Sequence, residues 1–316
     1  MNEIQIEESH PLGKTDLAIP PLGIGVWAWG ERYYWGYGKS YGKADIQSAF
    51  EACMDAGINF FDTAEIYGRG NSERLLGNFL REKNQPAIIA TKFMPFPWRI
   101  RKSQMQSALQ GSLNRLGISK VDLYQIHWPA SIVSVRTWSD GLADLVEKGF
   151  SQTVGVSNFR LSQIRRSYIA LKQRGVMLAS NQVEFNLLNR NIEQNGILAF
   201  CQEFGVTILA YSPLAQGLLT GKYSPKSPPS GIRALRYRAE LLNRISPLLR
   251  LMTEIGRENG KTVAQVAINW AICKGTVPLV GVKTARQVRE NIGALGWRLS
   301  PSQVAALDKT SLDIQP

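Results

Sequence analysis

Residues 59–93 read NFFDTAEIYGRGNSERLLGNFLREKNQPAIIATKF, and this stretch predicts one complete strand–helix–strand unit. Short apolar runs at 59–62 and 87–92 predict buried strands, and the amphipathic pattern of 71–81 predicts the helix between them. Two strands that are joined through a helix run parallel, so the unit is typical of an α/β protein.

The same alternation of strand and helix continues along the chain. Amphipathic patterns predict further helices at 43–56, 101–116 and 192–204. Strict alternation requires parallel strands, and eight of them favour a closed (β/α)8 TIM barrel over an open sheet. The eight predicted strands are 22–26, 59–62, 87–92, 121–127, 153–157, 180–185, 206–212 and 277–282.

The interval between the seventh and eighth predicted strands is much longer than the others. It contains the Pro- and Gly-rich run KYSPKSPPSG, followed by an additional helical stretch near 239–259. We interpret it as a long loop with an extra helix on the active-site face of the barrel, not as a linker to a second domain. Residues 1–316 are therefore predicted to form one domain, of a length that suits a β/α barrel.

Composition argues against several classes of protein. The chain is 44% hydrophobic, with neither a run of about 18 apolar residues that could span a membrane nor the pattern of a signal peptide. Its net charge of +12 is dispersed over most predicted helices, and no nucleic-acid-binding motif is present. Cys53, Cys201 and Cys273 are widely spaced and predict free thiols. We expect a cytoplasmic protein, monomeric or weakly homo-oligomeric, without nucleic-acid, membrane or metal partners.

Two glycine motifs resemble phosphate-binding sequences but lack the necessary context. Residues 23–28 match the G-x-G-x-x-A dinucleotide fingerprint, but an aromatic, Gly-rich segment follows where a helix should begin. Residues 38–40 match the end of a Walker loop, but Tyr33 lies where its first glycine should be. We interpret neither motif as a phosphate site.

Polar side chains follow three of the predicted strands in the first half of the chain. Asp62 and Tyr67 lie in the segment FDTAEIYG, Lys92 ends the third predicted strand, and His127 ends the fourth. In a β/α barrel the catalytic groups project from the carboxyl ends of the strands. We therefore expect these four side chains to meet at one rim of the barrel.

The types of these four residues indicate proton transfer to an oxygen atom. A tyrosine hydroxyl titrates near pH ~10 when unperturbed, and an ammonium beside it favours the phenolate and lowers its pKa. Asp62 would hold Lys92 charged. Tyr67 would then protonate a developing alkoxide, while His127 would orient a carbonyl group by a hydrogen bond. No side chain here can donate a hydride, so the chemistry requires a cofactor.

The same segments resemble the aldo-keto reductase family. FDTAEIYG, ATK and IHWP are similar to the signatures of its catalytic tetrad. The resemblance continues through GVSNF at 155–159, NQVEFN at 181–186, YSPLAQGLLTGKY at 211–223 and VPLVGVKTARQVREN at 277–291. It implies a β/α barrel with NADPH bound across its mouth, without a Rossmann fold.

Carried over residue by residue, the resemblance also assigns cofactor contacts. It implies that Ser157, Asn158 and Gln182 bind the nicotinamide carboxamide and that Tyr211 stacks on the nicotinamide ring. Lys283, with Arg286, would hold the 2′-phosphate. The other implied contacts are Gly25, Val26 and Trp27 in the first strand region; Ser212, Pro213, Leu214, Gln216, Gly217, Lys222 and Arg233 around the pyrophosphate; and Gly281, Gln287, Glu290 and Asn291 around the adenosine end.

Two departures from the family pattern bear on the choice of nucleotide. Gly281 and Val282 lie where many relatives have a lysine and a serine, and Gln287 lies where they have an arginine. The branch that contains the potassium channel β subunits resembles the present arrangement. We expect NADPH to be preferred over NADH.

An aromatic pocket is expected at the mouth of the barrel. Such a pocket suits small or flat aromatic aldehydes and ketones that are polarised at one carbonyl. The overall pattern is similar to reductases that act on pyridoxal, methylglyoxal or other reactive carbonyls. The expected substrate-pocket residues are Trp27, Tyr34, Trp35, Phe93, Trp98 and Trp128.

Two other functions stay open at the level of the sequence. The first is an NADPH-binding regulatory subunit resembling the potassium channel β subunits, which carry the same tetrad. The second is an unrelated β/α-barrel hydrolase or isomerase, which would need a metal or carboxylate-pair site that the sequence does not indicate.

Overall fold

Ten strands lie in the part of the chain that the computed structural model describes, residues 8–129, 132–228, 239–312 and 314. The first two pair antiparallel as a short hairpin, and the other eight pair in parallel and close into a barrel. The predicted (β/α)8 TIM barrel is therefore confirmed. In chain order the strands are β1 (His10–Pro11), β2 (Ala18–Ile19), β3 (Gly23–Gly25), β4 (Phe60–Asp62), β5 (Ile88–Phe93), β6 (Val121–Ile126), β7 (Ser151–Ser157), β8 (Leu178–Glu184), β9 (Thr207–Tyr211) and β10 (Val277–Gly281).

The barrel closes where β10 pairs with β3. Leu279 lies opposite Gly23, and Gly281 lies opposite Gly25. A Cβ on Gly23 would come within 2.6 Å of the Leu279 side chain and 2.7 Å of the Phe60 ring. Glycine at this position therefore leaves room for the larger side chains that fill the barrel.

Helices surround the barrel and connect its strands. The additional helix expected near 239–259 is present. The helix predicted at 192–204 is instead two helices, because Gly196 between them has a φ of 79° that a continuous helix does not allow. The helices of the described residues are α1 (Lys43–Asp55), α2 (Asn71–Lys83), α3 (Lys102–Leu116), α4 (Val135–Glu147), α5 (Leu161–Gln173), α6 (Asn191–Gln194), α7 (Ile197–Phe204), α8 (Ala239–Asn259), α9 (Val263–Cys273), α10 (Ala285–Ile292) and α11 (Pro301–Leu312). None of them is long and apolar enough to cross a membrane.

The short hairpin of β1 and β2 covers one end of the barrel interior. Its residues Leu12, Leu17 and Ile19 join strand residues such as Phe60 and Leu123 in an apolar cluster separate from the larger one between strands and helices. The amide of Gly13 between the two strands donates a hydrogen bond to the Thr207 hydroxyl, 2.7 Å away. The hairpin thus seals the end of the barrel at which the strands begin, and the opposite end remains for the functional site.

The three cysteines are free thiols, as predicted. Cys53 and Cys201 are buried, and Cys273 is partly exposed. Burial raises the pKa of the Cys201 thiol to about 12. A buried, protonated thiol is unreactive, so Cys201 has a packing role.

Candidate functional site

The four residues of the predicted tetrad come together at the carboxyl ends of three neighbouring strands. Asp62 is the last residue of β4, and Lys92 lies one residue before the end of β5. His127 directly follows β6, and Tyr67 begins a short 3₁₀ helix, Tyr67–Gly70, after β4. Because β5 pairs with both β4 and β6, the side chains reach one region of the barrel mouth.

The turn that carries Tyr67 depends on the glycine that follows it. Gly68 has a φ of 54°, and a Cβ at this position would lie 2.9 Å from the carbonyl oxygen of Gly30. This close backbone contact packs the turn against the connection that follows β3. The direction from which Tyr67 enters the mouth is thereby fixed.

Lys92 connects the other members of the site. Its Nζ atom donates hydrogen bonds to Asp62 Oδ2 at 2.5 Å, to the Thr63 carbonyl oxygen at 2.7 Å and to Tyr67 Oη at 3.3 Å. An ammonium group has three hydrogens, so these contacts use all of them. Because Tyr67 Oη accepts from Lys92, the hydroxyl hydrogen of Tyr67 is left to donate to another group.

The pKa values of Lys92 and Tyr67 depend on burial and on the neighbouring charges. Burial alone lowers the pKa of Lys92, but the Asp62 carboxylate and the Tyr67 hydroxyl outweigh it, and the pKa is raised. The pKa of Tyr67 is also raised, because burial of its hydroxyl outweighs the lowering effect of Lys92. The prediction that the pKa of Tyr67 is lowered is therefore wrong, because the net change is an increase. Lys92 by itself does lower this pKa, as expected.

His127 is buried beside the tyrosine as a neutral imidazole. The rings of Tyr67 and His127 lie 5.6 Å apart at 82°, an edge-to-face arrangement. Burial, assisted by the nearby Lys92 ammonium, lowers the pKa of His127 to about 3. Its Nδ1 atom has no hydrogen-bond partner among the described residues. A neutral imidazole keeps one N–H that can donate to a carbonyl oxygen at the mouth.

Two amide side chains hold the Asp62 carboxylate from the other side. Gln182 Nε2 donates to Asp62 Oδ1 at 2.9 Å, and Gln125 Nε2 donates to the same atom at 3.2 Å. With Lys92 on Oδ2, both carboxylate oxygens are hydrogen-bonded in the barrel interior. Gln125 was not predicted as a site residue, although strand alternation places it on the same inward face as His127 two residues later.

The residues expected to bind the nicotinamide carboxamide form one hydrogen-bonded group next to the tetrad. Asn158 Nδ2 donates to the His127 carbonyl oxygen at 3.1 Å and to Ser157 Oγ at 3.0 Å. Tyr211 Oη donates to Asn158 Oδ1 at 3.0 Å. The Ser157 hydroxyl donates to the Gln182 carbonyl oxygen at 2.9 Å. The four residues thus share one platform whose polar atoms suit an amide ligand.

The segment expected around the pyrophosphate follows β9 and has an unusual backbone. Ser212, Ala215 and Gln216 have φ values of 52°, 45° and 54°, which non-glycine residues rarely adopt. Such strain persists where the surrounding fold holds it, often at ligand sites. Pro213 and Leu214 lie within this segment, Gly217 (φ 101°) and Lys222 follow it, and the expected Arg233 lies outside the described residues.

The residues expected at the adenosine end gather around the start of α10. Lys283 follows β10, its amide donates to Gln287 Oε1 at 2.7 Å, and Thr284 caps the helix. The ammonium of Lys283 donates to the Trp35 carbonyl oxygen at 3.1 Å. Gly281 ends β10, the Glu290 carboxylate pairs with Arg286 at 2.9 Å, and Asn291 is buried. A lysine beside a helix N-terminus has the chemistry that a phosphate requires.

Aromatic side chains cluster at the mouth beside Tyr67. The Trp27 ring stacks on Tyr34 at 5.2 Å and lies 6.0 Å from Tyr67. Trp35 contacts Trp27 edge-to-face, and the Tyr34 hydroxyl donates to Gln216 Oε1 at 2.6 Å. This cluster lies between Tyr67 and the segment expected around the pyrophosphate. Gly25 and Val26, which precede Trp27, pair with β4 through their backbone.

The remaining expected pocket residues do not form one group. Trp98 and Trp128 are exposed. Phe93 is fully buried and packs against Trp138 at 5.0 Å. It cannot line the pocket in this structure, because alternation along β5 directs Lys92 inward and Phe93 towards the surrounding helices.

One cavity among the described residues lies at the other end of the barrel from the tetrad. A cavity of about 580 Å³ is lined by residues such as Leu80, Pro86, Leu116 and Asp122, near the beginnings of β5 and β6. It contains none of the tetrad. The hydrogen-bonded cluster at the carboxyl ends of the strands is the better guide to function.

Comparisons with known proteins match most of the chain. A model of the aldo/keto reductase family matches residues 21–311. Pyridoxal reductase, chloroplastic, from Arabidopsis thaliana is 44% identical over 306 residues, which cover 92% of this chain and 83% of that protein. A probable voltage-gated potassium channel subunit beta from Oryza sativa subsp. japonica is 29% identical over 301 residues, 90% of this chain and 90% of that protein.

The solved structures agree with the fold as well. An aldo-keto reductase from Klebsiella pneumoniae in complex with NADPH is similar with a TM-score of 0.74 at 26% identity. The match covers 97% of this chain and 95% of that one.

Proposed function

This chain belongs to the aldo/keto reductase family, and we propose that it reduces carbonyl compounds to alcohols with NADPH, Tyr67 supplying the proton. The observation that carries the proposal is the position of Lys92 Nζ, 2.5 Å from Asp62 Oδ2 and 3.3 Å from Tyr67 Oη. Tyr67 Oη accepts from Lys92 and therefore presents its own hydrogen to a ligand at the mouth.

Three side chains take part in protonating the carbonyl oxygen, each with a different role. Lys92 stays protonated, since Asp62 and Tyr67 raise its pKa. Its positive charge stabilises the phenolate that Tyr67 becomes after giving up its proton. Neutral His127 donates a hydrogen bond to the same carbonyl oxygen and fixes its direction. When bound, NADPH would supply the hydride that no side chain can provide.

Residues at both ends of the expected cofactor path support binding of such a dinucleotide. The amide platform of Ser157, Asn158 and Gln182 suits a carboxamide, and Lys283 at the start of α10 suits a phosphate group. Tyr211 offers a flat ring at the end of β9.

The substrate class that we propose is small or flat aromatic carbonyl compounds, with pyridoxal and methylglyoxal as representatives. The ring of Trp27 beside Tyr67 supports an apolar, flat ligand, and the similarity to a plant pyridoxal reductase supports the same class. We still predict that the protein is cytoplasmic and that it is a monomer or a weak homo-oligomer.

The direct test is oxidation of NADPH, followed by absorbance, with methylglyoxal, 4-nitrobenzaldehyde and pyridoxal as substrates. We expect turnover with at least one of them and formation of the matching alcohol. Absence of NADPH consumption over a broad panel of aldehydes would contradict the proposal.

A regulatory subunit is the second candidate, favoured by the similarity to the rice channel subunit. Purification with a membrane partner and very slow turnover would support it over the reductase. A metal-dependent hydrolase or isomerase is not proposed, because the chain belongs to a family of oxidoreductases.

A further inference from the structure

Glu65 lies between Asp62 and Tyr67 in the turn after β4, yet it binds a different partner. Its carboxylate pairs with the Arg99 guanidinium through Oε1–Nη1 at 2.5 Å and Oε2–Nη2 at 3.0 Å. Only 9% of the Glu65 side chain and 19% of the Arg99 side chain are exposed. A shielded pair with two parallel hydrogen bonds has a defined geometry and is stronger than a single surface contact.

The pair also binds the backbone that follows Lys92. Glu65 Oε1 accepts a hydrogen bond from the Met94 amide at 2.7 Å, and Arg99 Nη1 donates to the Met94 carbonyl oxygen at 2.8 Å. Met94 directly follows β5, two residues after Lys92. The Glu65–Arg99 pair therefore fixes the turn that carries Tyr67 relative to the segment that leaves β5.

The same arginine supports a stack of aromatic rings. Its guanidinium lies 5.0 Å from the centre of the Phe93 ring and 5.3 Å from that of Phe96. Phe96 stacks on Trp98, with ring centres 4.7 Å apart and an angle of 5°. Trp98 is 68% exposed, and its loop leaves β5 at the same end of the barrel as Tyr67. An exposed indole that is supported from behind offers a flat surface for a ligand.

The charge of Arg99 is already paired within the chain. Three of its five N–H donors bind Glu65 and the Met94 carbonyl oxygen. We therefore expect its effect on substrate choice to come through the residues that it holds in place.

We propose that Glu65 and Arg99 are positioning residues that set the preference of the site for flat aromatic aldehydes over small aliphatic ones. They do so by holding Trp98 at the mouth while keeping the Tyr67 turn aligned with β5. This inference rests on the proposed reductase function and names two residues that act through others.

The experiment compares 4-nitrobenzaldehyde with methylglyoxal in the unmodified chain and in Arg99→Gln, Glu65→Gln and the double variant. We expect kcat/KM for 4-nitrobenzaldehyde to fall by about 10-fold or more, mainly through KM, and that for methylglyoxal by less than about 3-fold. The double variant should lose no more than the worse single variant, because both act through one contact. Arg99→Lys should retain only part of the kcat/KM for 4-nitrobenzaldehyde, since a lysine cannot form both parallel bonds.

Two further variants separate positioning from general damage to the fold. Trp98→Ala removes an exposed side chain and should reproduce the loss of aromatic preference without disturbing the pair. Arg174→Gln is the matched control, because Arg174 contacts both carboxylate oxygens of Glu147 at 2.7 Å after α5, far from the mouth. It should leave the ratio of the two kcat/KM values unchanged.

Hydrogen exchange gives a readout that does not depend on turnover. We expect faster exchange of the Met94 amide in Arg99→Gln than in the unmodified chain, because its acceptor is no longer held. An unchanged ratio of the two kcat/KM values in Arg99→Gln, Glu65→Gln and Trp98→Ala would overturn this inference but not the proposed function. No turnover by the unmodified chain of these two aldehydes, of pyridoxal or of any other aldehyde in a broad panel would instead overturn the proposed function.

Discussion

Lys92 Nζ lies 2.5 Å from Asp62 Oδ2 in a part of the barrel where both side chains are shielded from water. Two opposite charges that are buried together stabilise each other. Each one lost its hydration when the chain folded, and only the partner and its hydrogen bonds compensate for that loss. The pair therefore couples the stability of the barrel to the chemistry at its mouth.

Removing one charge of this pair should cost more stability than removing both. Lys92→Met leaves a buried carboxylate unpaired, and we expect the free energy of unfolding to fall by about 3–5 kcal/mol. The double variant Lys92→Met with Asp62→Asn should regain most of that stability. Neither should reduce carbonyl compounds at a useful rate, since Tyr67 loses the ammonium beside it.

Urea denaturation and NADPH oxidation measure the two effects separately. Equal stability of the single and double variants would show that the two charges are not coupled. Recovery of activity in the double variant would show that Lys92 is not needed for proton transfer.

Tyr67→Phe should separate proton donation from cofactor binding. The phenyl ring keeps the packing against Trp27 and His127, but the hydroxyl that Lys92 contacts is gone. We expect kcat to fall by about 100-fold or more, in the range of a general acid, with the NADPH dissociation constant within about 2-fold of the unmodified value.

The matched control for this variant is Tyr168→Phe, a tyrosine that packs among Phe200 and Phe204 on the outside of the barrel. It should leave kcat unchanged. Nearly intact carbonyl reduction in Tyr67→Phe would mean that another group is the acid.

The strands and the tetrad could be predicted because both depend on local pattern. Short apolar runs between amphipathic helices identify all eight barrel strands, and polar residues at their carboxyl ends identify the site. The hairpin of β1 and β2 was missed because strands of two residues are too short for any periodicity. The break at Gly196 was missed because the helical pattern runs through it on both sides.

Other features depend on distances that a sequence does not contain. The net direction of the Tyr67 pKa is set by the protein packed around its hydroxyl, and that burial exceeds the effect of the neighbouring lysine. Glu65 and Arg99 are 34 residues apart, and either could have been a solvated surface charge. Gln125 could have been noticed, because it points inward two residues before His127.

His127 should make the folded chain sensitive to acid. Burial lowers the pKa of His127 to about 3, whereas an unfolded histidine titrates near ~6.5. Between these values the unfolded chain binds a proton that the folded chain does not. Stability therefore rises with pH across this window and is lost as the pH falls from about 6.5 towards about 3.

The variant His127→Asn should show a shallower loss of stability in acid. At about pH 4.5 we expect the pH-dependent loss to be about 2.5 kcal/mol smaller than in the unmodified chain, since this pH lies about two units below the pKa of an unfolded histidine and each unit corresponds to about 1.4 kcal/mol. Urea denaturation at about pH 7 and about pH 4.5 measures this difference. His10→Gln replaces the exposed histidine, the other one in the chain, and serves as the control. An identical acid slope in His127→Asn would show that His127 is protonated in the folded chain.

Lys283 should give the protein a higher affinity for NADPH than for NADH. Its ammonium lies 4.3 Å from the centre of the Tyr41 ring and 3.1 Å from the Trp35 carbonyl oxygen, beside the start of α10. A 2′-phosphate at this helix N-terminus would form charge-assisted hydrogen bonds with this cation and with backbone amides. Lys283→Met keeps most of the apolar stem and removes the charge. We expect it to weaken NADPH binding by about 10-fold or more and NADH binding by less than about 2-fold.

Titration of protein fluorescence with each nucleotide measures both constants without any substrate. Lys261→Met is the matched control, because that lysine also lies over an aromatic ring, Trp297, at 5.6 Å. It should leave both affinities unchanged. Equal losses for NADPH and NADH in Lys283→Met would mean that this lysine only supports the loop that contains Trp35. In that case the 2′-phosphate would have to bind elsewhere, and Arg286 on the first turn of α10 would be the next residue to replace.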